Sequence, residues 1–238
     1  MKSRLKHYFV ILVFLLASPS YGMTVAEILS RVRVNLKDQS VATDRQQFND
    51  TSLIQYLNDG QREANVLAWL LQDIYTITLV SGTREYNLPA DFLSTSRVLH
   101  NNLKLEQTSL DQLDADSKGW LAATGATPQK YYLYRSTYTL MGFHPKPTSP
   151  TVTSVVVYYI KQPVEITATT ETPWNGWNTL TPYHSALVYY VTYRAFRALE
   201  ENDLANMYYQ EWATSIEMMR KGIYSMPDFN PGFTGKRE

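Results

Sequence analysis

Apolar positions recur at helical spacing from Met23 onward. Val25, Ile28, Leu29, Val32 and Leu36 mark one face of a helix predicted over about residues 24–37. Thr24 and Glu27 stand at capping-box spacing just ahead of that face, with Met23 and Ile28 at the positions of a hydrophobic staple. A polar stretch, KDQSVATDRQQFND, leads to a second periodic segment over about residues 51–72. Its stripe is Leu53, Ile54, Leu57, Ala64, Leu67, Ala68 and Leu71, with N-cap candidates between Asn49 and Ser52. Gly60, in the middle, should weaken it by up to about 1 kcal/mol relative to Ala.

The period then shortens to two. TITLVSGTREYNLP reads as a hairpin in which Ile77 and Leu79 face Tyr86 and Leu88 across SGTR. RVLHNNLKLEQ reads as a second, because Asn101 and Asn102 tolerate the positive φ of a tight turn. YYLYRSTYTLMGFHP reads as a third, and SVVVYYIKQP as a strand. SLDQLDADSKGW is predicted to be a short helical turn capped by Ser109. Residues from about 75 to 165 thus form a β-rich block of six or seven strands.

Helical spacing returns after ITATTETPWNGWNTLTP. Thr181 and Pro182 have the character of N-cap and first helical residue. The stripe behind them is Ala186, Leu187, Tyr190, Val191, Arg194 or Ala195, Ala198 and Leu199. After a turn capped by Asn202 or Asp203, a fourth helix is predicted over about residues 203–221, stopped by Gly222. The tail, residues 223–238, holds two Pro and two Gly within IYSMPDFNPGFTGKRE and should be extended.

No helix pair can bury its apolar face alone. The expected fold class is therefore α+β: a four-helix bundle of two N-terminal and two C-terminal helices with an inserted antiparallel β-rich domain. Its parts are 23–74 and 178–222 for the bundle and 75–177 for the insertion.

Composition narrows the function. Apolar residues make up 44% and charged residues 18%, the balance of a globular chain. Eighteen tyrosines suit half-buried strands or contact surfaces. The net charge is zero; removing Lys2, Arg4 and Lys6 from 22 basic residues leaves 19 against 22 acids, or −3, after residue 22. That is no nucleic-acid footprint. With no cysteine there is no disulfide, thiol nucleophile or thiolate metal site.

A search for chemistry comes back empty. His7, His100, His144 and His184 lack metal spacing, so no metal or other cofactor is expected. His184 is assigned to a helix surface, and Ser185 beside it does not make a triad without a placed acid. Asp111, Asp114, Asp116, Glu200 and Glu201 stand in turn or helix-end contexts that read as solvated, not as a desolvated acid pair. Phosphate-binding and nucleophile-elbow motifs are absent. Nothing here makes a case for an enzyme. Two features remain. Trp174 and Trp177 could form an aromatic shelf for a sugar or partner protein, or close the bundle where the β block rejoins it. Met226, Phe229, Pro231 and Phe233 are apolar residues in a Pro/Gly-rich tail that cannot build its own core, which favours docking on a partner.

An ordered series of segments carries a resemblance: MTVAEILSRVRVNLKD, FNDTSLIQYLNDGQREA, REYNLPADFLSTSRVL, GWLAATGATPQKYYLY, TLMGFHPKP, VVYYIKQP and LTPYHSALVYYVTYRAFRALEENDLANMYYQEW. Over about 200 residues, in this order, the chain resembles the head-to-tail adaptor (connector) proteins of tailed bacteriophages. The resemblance implies a ring of about twelve copies beneath the portal protein. Such a ring extends the DNA channel, passes double-stranded DNA without sequence-specific binding, and gives a tail or nozzle protein its platform. It also implies no catalysis and no cofactor. A C-terminal segment that engages the portal would account for Met226, Phe229, Pro231 and Phe233.

Residues 1–22 depart from that pattern. A basic start, an apolar run from Tyr8 to Ala17, and Ser20 and Gly22 before Met23 have the form of an export signal. One alternative is therefore an exported periplasmic or surface binding protein that uses the Tyr/Trp-rich β domain. Another keeps the segment as an apolar helix within an assembly. The expectation adopted is that residues 1–22 lie outside the working fold, which starts at Met23 and assembles in the host cytoplasm as a virion neck component.

Overall fold

Helix α1 (Val25–Leu36) starts where its cap requires. The Thr24 hydroxyl accepts from the Glu27 amide at 3.3 Å, and the Glu27 carboxylate accepts from the Thr24 amide at 2.8 Å. The computed structural model describes residues 22–39, 47–116, 118–135, 139–148 and 153–224. Residues 1–21, and the tail residues Met226, Phe229, Pro231 and Phe233, lie outside the described residues. The chain is α+β, with five α-helices and mainly antiparallel sheets among the described residues.

Helix α2 (Asp50–Ala68) is capped by Asn49, whose side chain accepts from the Ser52 amide at 2.7 Å. It ends before the expected residue 72, because Trp69 turns left-handed (φ 52°) and directs the chain into the first strand. Gly60 is no simple weak point. A Cβ there would stand 2.7 Å from Cδ1 of Tyr190, so glycine is what lets the next long helix approach.

Strands β1 (Gln72–Thr78), β2 (Glu85–Asn87), β3 (Phe92–His100), β4 (Leu103–Lys104) and β5 (Glu106–Gln107) follow. Helix α3 (Leu110–Asp116) comes next, its Ser109 cap accepting from the Gln112 amide at 3.1 Å. Then come β6 (Thr124–Gly125), β7 (Lys130–Arg135), β8 (Thr139–His144), β9 (Lys146–Pro147) and β10 (Ser154–Lys161). One sheet has the order β1-β10-β3-β4 and the other β2-β8-β7-β5, with a small β6-β9 pair beside them.

The turn at Asn101 (φ 50°) and Asn102 (φ 64°) joins β3 to β4 as expected, and β7 pairs β8 in register Lys130↔His144. The first predicted hairpin does not form. β1 pairs β10 and β2 pairs β8, so SGTR passes the chain from one sheet to the other. Alternation found the strands but not their partners: Ile77, Leu79 and Leu88 still meet in one core, which a sandwich satisfies as well as a ladder.

After β10 the chain runs back through two 3₁₀ turns, Pro173–Gly176 and Asn178–Tyr183, to α4 (His184–Ala198) and α5 (Asn202–Tyr224). Two boundary readings need correction. Thr181 does not cap α4; it and Pro182 belong to the 3₁₀ turn, whose Leu180 is buried, and α4 begins at His184. Gly222 does not stop α5. The helix continues because Ile216, Met219 and Ile223 stay buried, and a Cβ on Gly222 would meet the Tyr183 hydroxyl.

The core has two main parts. One joins α1, α2, α4 and α5 with Ile166, Trp174 and Leu180; α4 packs against the other three helices. The second lies between the sheets, with Tyr131, Met141, Phe143, Val155, Val157 and Tyr159 among its members.

Candidate functional site

The expected stripe of α2 missed its most informative residues. Asn58, Gln61 and Asn65, at i, i+3 and i+7, are buried, whereas Leu67 is exposed. Each amide meets the chain as it leaves β10 and runs back toward α4. Asn65 Nδ2 donates to the Lys161 carbonyl at 2.8 Å, and its Oδ1 accepts from the Leu71 amide at 2.8 Å. Gln61 Nε2 donates to the Val164 carbonyl at 2.9 Å, and its Oε1 accepts from the Trp174 amide at 3.2 Å. Asn58 takes both ends of Ile166, donating to its carbonyl and accepting from its amide, each at 2.9 Å. An irregular segment must satisfy in this way the backbone groups that it turns toward a helix. The detectable signal was the helical spacing of three amides beside Leu57 and Ala64.

The same segment tethers α1. The carbonyls of Glu171 and Thr169 accept from the amides of Val25 at 2.9 Å and Ala26 at 2.8 Å, two of the donors a helix start leaves unpaired. Glu171 holds its own loop, accepting from the Thr167 and Ala168 amides and the Thr167 hydroxyl. These bonds keep its carboxyl below the usual range.

Trp174, Asn175 and Gly176 all have positive φ (51°, 58° and 68°), which makes TPWNGW a sharp reversal. Trp174 is fully buried, and its ring N–H donates to the Gln61 carbonyl at 3.2 Å. It fills the closure between segment and helices and has no surface in this conformation. Trp177 is half-buried, with the Lys161 ammonium 5.7 Å above its ring. Lys161 also binds Asp73 at 2.7 Å, and that bond, ahead of the Ile74 amide, lowers the Asp73 pKa. An open groove lined by Asp91, Lys161, Val164 and Asn175 runs beside this pair.

His184, expected on the surface, is fully buried. Its Nδ1–H donates to the Met23 carbonyl at 3.1 Å, and its ring leans on Trp174 at 5.7 Å. The first turn of α4 faces inward because α1 and the returning segment cover it. Burial lowers its pKa, with the Met23 bond opposing.

Among the described residues no group of three or more His, Cys, Asp or Glu is placed to hold a metal, and no helix is long and apolar enough to cross a membrane. Glu200 and Glu201 at the α4–α5 turn are exposed as expected, and Asp203 beside them is exposed too. What stands out instead is surface: apolar side chains lie open on α2 (Val66, Leu67), on β1 (Ile74) and on α5 (Leu204, Met207, Tyr209).

No curated protein matches the chain. The sequence model of the SU10 adaptor protein family matches residues 23–230, and the chain belongs to that family. It is a bacteriophage head-tail adaptor, a structural rather than enzymatic class of virion protein that associates with other virion components.

Proposed function

We propose that the protein forms a ring below the portal, extends the channel through which double-stranded DNA passes, and provides the platform for a tail or nozzle protein. The observation that carries this reading is the family match over residues 23–230, which spans both the helical and the strand-rich parts. The shared core of α1, α2, α4 and α5 supports a four-helix bundle of residues 23–74 and 178–222 with 75–177 as its inserted β domain. Such a bundle supplies a rigid body, and surface apolar groups supply contacts to neighbours.

In this reading the DNA makes no sequence-specific contact, in keeping with the −3 charge of residues 23–238 (19 basic against 22 acidic). The working fold starts at Met23, where the capping box and the bonds to residues 169 and 171 begin. Met226, Phe229, Pro231 and Phe233 dock on the portal, which gives their apolar side chains the core the tail cannot make.

The test is the mass in solution of residues 23–238, with and without rings of the cognate portal. A discrete complex with the portal is expected, and failure to bind it ends the proposal. Deleting residues 225–238 should weaken that complex while leaving the unfolding transition unchanged.

A further inference from the structure

Strand β10 reads SVVVYYIK, an apolar run of the kind found where a strand is covered on both faces. One face is covered along its length, and the other fully only at Ile160, which is 1% exposed. Val155, Val157 and Tyr159 point into the core between the sheets. The alternate positions lie on the outer face, where the register aligns Ile74 with Tyr158 and Arg97, and Thr76 with Val156, Leu99 and Lys104. Ile74 is 57% exposed, Thr76, Arg97 and Lys104 are exposed, and Leu99, Val156 and Tyr158 are half-buried. This is an apolar sheet face with two cations and, among the described outward strand positions, no carboxylate. Neither Arg97 nor Lys104 makes an ion pair among the described residues.

A complementary surface exists on the same chain. At the α4–α5 turn Glu200, Glu201 and Asp203 are exposed and make no ion pair among the described residues, and they flank Leu204 and Met207, 38% and 48% exposed. It too joins open apolar side chains to unpaired charge, of the opposite sign.

We infer that the outer face of the β1-β10-β3-β4 sheet docks on the start of α5 in a second copy of this chain. Arg97 and Lys104 meet Glu200, Glu201 and Asp203, and the apolar residues of both patches close together. Two different surfaces of one molecule make a head-to-tail contact, and repeating it closes a ring when the rotation fits. A self-complementary contact would instead bring like charges together. The inference rests on the self-assembly in the reading above and adds to it the faces that meet.

The chain has no cysteine, so an introduced pair reports without background. Full-length Thr76→Cys and Met207→Cys variants are mixed and mildly oxidised, both as concentrated protein and on portal rings. Disulfide-linked pairs are expected in the mixture, and a ladder of linked copies in the double variant. Thr76→Cys mixed with Gln129→Cys is the background pair. Reversing charge with R97E and K104E in the Thr76→Cys partner should lower the yield severalfold. E200K and E201K in the Met207→Cys partner should restore it.

A mixture no better linked than background overturns the inference, as does linkage of Thr76→Cys only to itself, or charge reversal without rescue. Portal binding in the same samples keeps the two ideas apart. Binding without the cross-link leaves the adaptor reading standing and removes this interface. No binding removes that reading, while the cross-link in concentrated protein still decides the contact.

Discussion

In the helical core three amides lie buried on α2 with their partners supplied by the returning segment, whereas in the strand region apolar side chains stand open on the outer face of a sheet. The two regions use the same residue classes against their usual placement. In the first, polarity is buried because an irregular stretch of backbone crosses a helix and must be bonded there. In the second, apolar groups stay outside because, among the described residues, no element covers them. Burial thus follows what lies opposite a residue more closely than its own hydropathy. Among the described residues one region closes on itself, and the other leaves a face open.

If that contrast is right, damage to the helical core should show as lost stability. Trp174→Ala is expected to do most harm, about 3–5 kcal/mol, because it empties a fully buried site and removes the ring bond to the Gln61 carbonyl. Denaturant unfolding measures this directly, and a loss under about 1 kcal/mol would mean that the closure is not tightly packed. Asn58→Leu comes next, at about 2–3 kcal/mol, because the amide and carbonyl of Ile166 both lose their partner. Its effect should exceed that of Leu67→Gln, although hydropathy alone ranks them the other way.

A pH dependence tests the same buried seam. His184 has its pKa lowered from 6.5 by burial, so the unfolded chain binds its proton more readily than the folded one. Stability contributed by the neutral ring is present above about pH 6.5 and is lost as pH falls toward the folded pKa. Burial lowers the pKa values of His100 and His144 in the same direction, so wild type alone does not isolate the site. The Tm of His184→Gln, which keeps a donor for Met23, should therefore fall less than wild type between about pH 7 and pH 5. Parallel curves would show that His184 is solvated.

How much of this was legible follows from what each signal measures. Capping at Thr24 and Asn49 and the Asn101-Asn102 turn are local chemistry, and all three are present where their residues stand. The partners of β1 and β2 depend on chain far away in sequence, and alternation carries no record of them. Gly60 reads as a helix weakness and Gly222 as a helix stop because propensity sees a missing side chain, whereas the fold uses both for close approach by Tyr190 and Tyr183. His184 is assigned to the surface from its place in a first helical turn, and the α2 amides are absent from an apolar stripe that by construction admits no polar residue. The outer face of β10 went unremarked because a run of apolar residues does not say how many sides are covered.

The smallest stability effect should carry the most weight for the strand region. Ile74→Thr replaces a 57% exposed residue on an edge strand with one of good strand propensity. Its unfolding free energy should change by less than about 0.5 kcal/mol, the range for a surface site away from special contacts. If the outer face is covered only when copies meet, the same substitution should reduce self-association seen in sedimentation of concentrated protein. A marked loss of stability in the isolated chain, with association unchanged, would place Ile74 in the fold of the single copy. The contrast between a finished core and an open face would then fail at its most exposed residue.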